Sequence, residues 1–188
     1  ERVQTDLRNG AVFFDLHRKE PARLDVFSAA IRDGRGNVLH RRLFVVETGI
    51  DCTMTVRQPT IFLDLSLAPT ETKTPDGSGL PNRDKVEQVL IEQALQPFLE
   101  EIQAQREKET EIISRHVEIS LNELIHRQNL RMAELLESQQ AGDSSPLLAA
   151  NIKTTEDRID ELNGRLERRR DELEQERHCI ISDIQHHG

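Results

Sequence analysis

Tryptophan and tyrosine are absent from this chain, and six phenylalanines are its whole aromatic complement. With only 36% apolar residues against 31% charged, the 188 residues are too lean for one large enzyme-like core. Two cysteines, Cys52 and Cys179, lie far apart with no paired spacing, which fits free thiols in a reducing compartment better than a disulfide framework. No apolar run reaches the length of a membrane span, so no membrane partner is expected. The N-terminus has neither an initiator Met nor a charged-then-apolar signal pattern, so the chain reads as a cytoplasmic piece cut from a longer protein. A phosphate-cradling GxxxxGK[ST] loop is also lacking; outside the 68–81 stretch, the close glycine pair Gly34 and Gly36 belongs to a turn.

Positive charge is in short supply as well. The chain carries 25 Lys+Arg against 34 Asp+Glu, and the imbalance is local. Residues 1–80 hold 11 of each sign, which leaves 14 basic against 23 acidic residues for 81–188. Phosphate neutralisation drives nonspecific nucleic-acid binding, so direct binding by this acidic half is not expected.

What is present divides into two textures, and the fold class they imply is α+β: a small antiparallel β-subdomain followed by a long antiparallel α-helical coiled-coil hairpin. From Val12 to Leu67 short strand patterns alternate with turns, at 24–31, 38–46, 53–56 and 61–67. Asp33-Gly34-Arg35-Gly36-Asn37 marks a hairpin connection, its glycines supplying positive backbone angles. Residues 1–67 are therefore the expected β-rich subdomain, 68–81 a Pro- and Gly-rich linker, and 82–188 a helical arm.

In the arm, Asp84 and Glu87 have capping-box spacing, and Val86, Val89, Leu90 and Ala94 share a helix face. Pro97 predicts a break, which separates a short helix at 84–96 from a long one at 98–140. The long helix carries Phe98, Ile102, Ile113, Val117, Leu121, Leu124 and Leu135 at three-and-four spacing, with polar gaps at Arg106, Glu109 and Gln128. A second long helix, 147–187, steps through Ile152, Thr155, Ile159, Leu162, Leu166, Arg169, Leu173, Glu176, Ile180 and Ile184. Between them Gly142 can end the first helix, Ser145 cap the second and Pro146 occupy its first turn. If the arms fold back about Asp143 and Ser144, facing residues have numbers summing to about 287, which sets Leu135 near Ile152, Leu121 near Leu166, Ile113 near Leu173 and Ile102 near Ile184.

Candidate chemistry is sparse. His178, Cys179, His186 and His187 are zinc-type ligands, but on a helix Cys179 and His186 would stand about 10 Å apart along the axis, so no metal site is expected and the group reads as a polar helix end. His116 and His126 read as solvated or internally bonded. Arg165, Arg168, Arg169 and Arg170 form the densest cluster of one charge; they could contact a polyanion or an acidic partner, yet Glu118, Glu167, Asp171 and Glu172 lie near enough to pair with them, and intramolecular pairing is the favoured expectation. No catalytic residue and no cofactor is expected in this chain.

The helical half resembles a segment near the C-terminus of bacterial superfamily-two helicases and translocases of the Swi/Snf type. The residues that carry the resemblance are Phe98-Leu99, Arg106, Glu109, Ile113, His116, Ser120-Leu121, Leu124-Ile125 and Gln128, then Arg158, Glu161-Leu162, Arg165-Leu166, Arg169, Leu173 and Glu176-Arg177. It covers about 82–188, and the strand-rich front agrees more loosely. The resemblance implies a nonenzymatic accessory module of an ATP-dependent DNA motor, with ATP, Mg and DNA handled by helicase lobes upstream that would be its partners. This chain has no Asp-Glu-x-His-type box, so no catalytic residue carries over. The alternative is a self-standing homodimeric coiled-coil adaptor, which solution mass distinguishes; a hydrolytic or metal-dependent enzyme is a third class that bound zinc would revive.

Overall fold

The computed structural model describes residues 11–69, 72–73 and 77–187. Antiparallel sheets and long helices make it a mixed α+β structure. The described residues form strands β1 (Phe13–Asp15), β2 (Ala22–Asp33), β3 (Val38–Gly49), β4 (Met54–Arg57), β5 (Leu65–Leu67) and β6 (Cys179–His186), with helices α1 (Arg83–Leu90), α2 (Gln96–Gln140) and α3 (Pro146–Arg177). The chain divides into two compact units: one extends to Gln103 and includes the segment from Cys179 on, and the other is Ala104–His178.

In the first unit a four-stranded antiparallel sheet has the order β4-β3-β2-β6, and β1 pairs with β5 in a separate two-stranded ribbon. The β2–β3 connection forms where the glycines place it. Gly36 takes φ +85, and the buried Asp33 carboxylate accepts from the backbone N–H of Arg35 at 3.0 Å and of Asn37 at 2.8 Å, so the turn is fixed by a side chain as well as by glycine. One face of the sheet carries Phe27, Ala29, Ile31, Phe44, Val46 and Cys179. Against it pack Val86, Leu90, Ala94, Leu95, Phe98 and Ile102. Leu90 and Phe27 are fully excluded from solvent, each contributing about 2 kcal/mol of apolar transfer.

Several expected boundaries move, each for a physical reason. The strand expected at 61–67 is instead a 3-10 turn at Pro59–Leu63 and the short β5, because proline fixes its φ and starts a tight turn. Asn82, not an Asp84–Glu87 box, caps α1, its side chain accepting from Lys85 N–H at 3.3 Å. Pro97 does not interrupt the helical path, since a π-helical turn at Ile91–Leu95 links α1 to α2 immediately before it. The Gln96 N–H bonds back to Ile91 C=O, and this wider turn makes room for the proline ring in the first turn of α2. Part of the linker expected at 68–81 lies outside the described residues.

The largest correction is at the end of the chain. The helix expected over 147–187 stops at Arg177, and the chain becomes β6, pairing antiparallel with β2 through Ile31↔Ile181 and Phe27↔His186. Its β-branched Ile180 and Ile181 suit a strand, and the edge of β2 supplies the backbone partners that local periodicity cannot reveal. Ile180 and Ile184 leave the helical seam with it, and the Ile102–Ile184 pairing disappears. The division at 67 and 82 gives way too, because α1, the start of α2 and β6 all belong with the sheet.

In the second unit the link between α2 and α3 follows the expected chemistry. Gly142 takes φ +102, Asp143 N–H bonds to Ser138 C=O, and Ser145 caps α3 by accepting from Leu148 N–H at 3.2 Å. Leu121, Leu162 and Leu166 form one buried cluster flanked by Val117 and Ile125. Thr110, Thr155, Leu173 and Glu176 are also buried.

Candidate functional site

The four arginines singled out from sequence separate into two pairs. Arg169, half-buried, donates from Nη1 to Glu172 and to Glu176, both at 2.9 Å, and these carboxylates, Glu176 foremost, push its pKa further up. Arg170 Nε reaches Glu118 on α2 at 3.0 Å. Arg165 and Arg168 are exposed and make no ion pair among the described residues. Glu118 and Glu172 are thus used as expected, while the third carboxylate is Glu176 rather than Glu167 or Asp171.

Glu176 organises more than Arg169. It is 8% exposed, takes Arg106 Nη2 at 2.9 Å, and gives its own carbonyl to Arg106 Nε at 3.2 Å. A buried carboxylate is costly unless its lone pairs are filled, and two guanidinium groups fill them. Arg106, a polar gap on the first helix, therefore faces Arg169 and Glu176, the polar positions on the second. Arg170 also lines a groove of about 430 Å³ with Arg115 and Arg177, but there each cation has its own glutamate: Glu118, Glu111 and Glu174 respectively.

The histidine and cysteine group does not converge on a metal position. His186 Nε2 lies 3.2 Å from Asp25 Oδ1, with its ring 4.7 Å from that of Phe27. His187 Nε2 lies 2.8 Å from Ser28 Oγ. These side chains fasten β6 to β2 instead of ending a helix, and Cys179 is buried in the core while Cys52 is exposed. No grouping of three or more His, Cys, Asp or Glu side chains suited to a metal occurs among the described residues.

A polar cleft in the first unit went unread in the sequence. It has a volume of about 750 Å³ and is lined by Asp15, Arg18, Lys19, Glu47, Arg57 and Asp64, among others. Glu47 on β3 is buried and accepts from Arg18 Nη2 and from Arg57 Nε at 3.1 Å and Nη2 at 3.3 Å. Burial alone would raise its pKa; the bonds from Arg18 and Arg57 outweigh that and hold it below its usual value. The three residues sit 29 and 10 positions apart in sequence, so only strand pairing unites them, and no local signal marks the group. Chemically this is an ion-pair clasp that ties the β1–β2 loop and β4 to β3.

Neither family models nor curated proteins nor solved structures give a match to this chain, so the functional reading rests on its own residues.

Proposed function

We propose that this chain is a nonenzymatic accessory module of an ATP-dependent DNA helicase or translocase, in which the sheet-bearing unit roots an antiparallel coiled-coil hairpin that positions the motor or links it to a partner. The hairpin reading is supported by contacts that run in opposite directions along α2 and α3: Arg106 with Glu176, Glu118 with Arg170, and Leu121 with Leu162 and Leu166. The observation that carries the functional reading is the internal use of charge in this unit. Arg106, Arg169 and Arg170 are bonded to Glu176, Glu172 and Glu118, which leaves Arg165 and Arg168 as the exposed cations of the cluster; charge used mostly internally fits a self-contained lever better than a phosphate-binding surface. The link to a motor comes from the helicase-like residues of α2 and α3, and ATP and Mg belong to the proposed parent.

The test is to measure ATP hydrolysis and duplex-DNA binding of the purified chain at physiological salt, beside its solution mass. Neither activity is expected, and the mass should be that of one 21.6 kDa chain, since the hairpin covers its own seam. Salt-sensitive DNA binding abolished by joint Arg165→Ala and Arg168→Ala, with helicity intact, would make the arm a DNA-contacting element and overturn the reading. A dimer that dissociates only as its helices melt would favour the homodimeric adaptor.

A further inference from the structure

The strands flanking the β2–β3 hairpin leave one stretch of edge open. β4 pairs with β3 only from Val45 to Thr48, because Pro59 and the 3-10 turn divert the chain just past Arg57. Beyond that point β3 continues from Phe44 back to Val38, paired on one side with β2 and with no strand on its other side among the described residues. Seven residues of free edge present about 23 Å of backbone donors and acceptors. The other long edge, β6, differs in kind, since Asp183 at φ +53 marks a bulge that disrupts its pairing and bends the strand.

The open edge is also basic. Arg41 and Arg42 alternate across the two faces of β3, with side chains 59% and 49% exposed. Each is steadied without being consumed. Arg41 lies 3.7 Å from Asp183 and Arg42 3.6 Å from Glu101, both too long for a hydrogen bond, and the Arg42 guanidinium rests 4.1 Å above the Phe98 ring. Val38 and Leu43 on the same stretch expose apolar side chains. Charged side chains on an edge usually discourage pairing, but arginines do so selectively: they repel a basic strand and attract an acidic one.

We propose that the open edge of β3, Val38–Phe44, docks an extended acidic peptide, which joins the sheet as an added strand and sets its carboxylates against Arg41 and Arg42. Main-chain bonds supply affinity and the two arginines supply the sign of charge selected. The proposal stands apart from the helicase reading, because it uses only the sheet-bearing unit.

The test uses the full chain and three labelled peptides: a Val-Glu-Glu-Val-Glu-Glu hexamer, whose adjacent glutamates point to both faces, its Lys-Val counterpart with lysine at each glutamate, and the glutamate peptide N-methylated at every amide, so that neither of its edges can donate. Fluorescence anisotropy should show binding of the first alone, with hydrogen exchange slowed across 38–44. Arg41→Glu with Arg42→Glu should weaken it by about tenfold or more while leaving the circular dichroism unchanged. Equal binding of the N-methylated peptide would show attraction without strand addition and overturn the proposal. So would binding of the Lys-Val peptide, unchanged exchange at 38–44, or competition by short duplex DNA, which would make the patch a nucleic-acid contact. If the double variant loses its folded spectrum, Arg42→Gln alone, expected to weaken binding several-fold in a folded protein, decides in its place.

Discussion

At the scale of single residues, Glu176 and Glu47 are the two carboxylates whose surroundings do the most. Glu176→Ala removes the shared acceptor of Arg106 and Arg169, leaving two guanidinium groups under-partnered in a partly buried site. A loss of about 2–4 kcal/mol is expected in denaturant unfolding, against almost nothing for Glu123→Ala, whose ion pair with Arg127 is exposed. Leu121→Asp or Leu166→Asp places a carboxylate in the apolar cluster and should cost about 3 kcal/mol or more. Glu47 adds a pH dependence. Its folded pKa is depressed, so its stabilisation is present above the ordinary carboxylate range and is lost as pH falls through the lower folded value. Glu47→Gln should therefore lower the melting temperature at neutral pH and flatten its decline on acidification below about pH 4.

The elements show what a sequence reveals locally and what it hides. The Gly36 turn, the Ser145 cap and the Gly142 helix end were legible because each depends on a few adjacent residues with particular backbone needs. Arg169 and Glu176 fell at seam spacing, yet their partner Arg106 was seen only as a gap, since periodicity gives a face and not the charge across it. The β6 segment reads as helix because Ile180 and Ile184 continue the spacing of Leu173 and Glu176; the deciding factor is the edge of β2, about 150 residues away. The Arg18–Glu47–Arg57 clasp and the open β3 edge were hidden for the same reason. Pro97→Ala offers a check on the π-helical turn at 91–95. If that turn exists to seat the proline, alanine should be tolerated within about 1 kcal/mol and thermal stability should not fall, whereas a marked loss would mean the proline itself holds the local path.

For the molecule as a whole, the order of elements along the chain matters as much as their contacts. The sheet-bearing unit is built from two separated stretches, with Ala104–His178 inserted between them. During synthesis, β2 is made long before the strand that completes its edge, and the Ser28–His187 contact closes a loop of 159 residues. Loop closure of that span makes contact order high and folding of the sheet slow. The inserted helices, whose contacts are local by comparison, can fold while the sheet is still waiting. A chain truncated after Arg177 would therefore display an unpaired, apolar β2 edge and should be captured by chaperones or aggregate, while one that carries residues through His187 should become protease-resistant. The same arrangement lets the helical insertion change length, by matched additions to α2 and α3, without altering a residue of the sheet that receives its last strand.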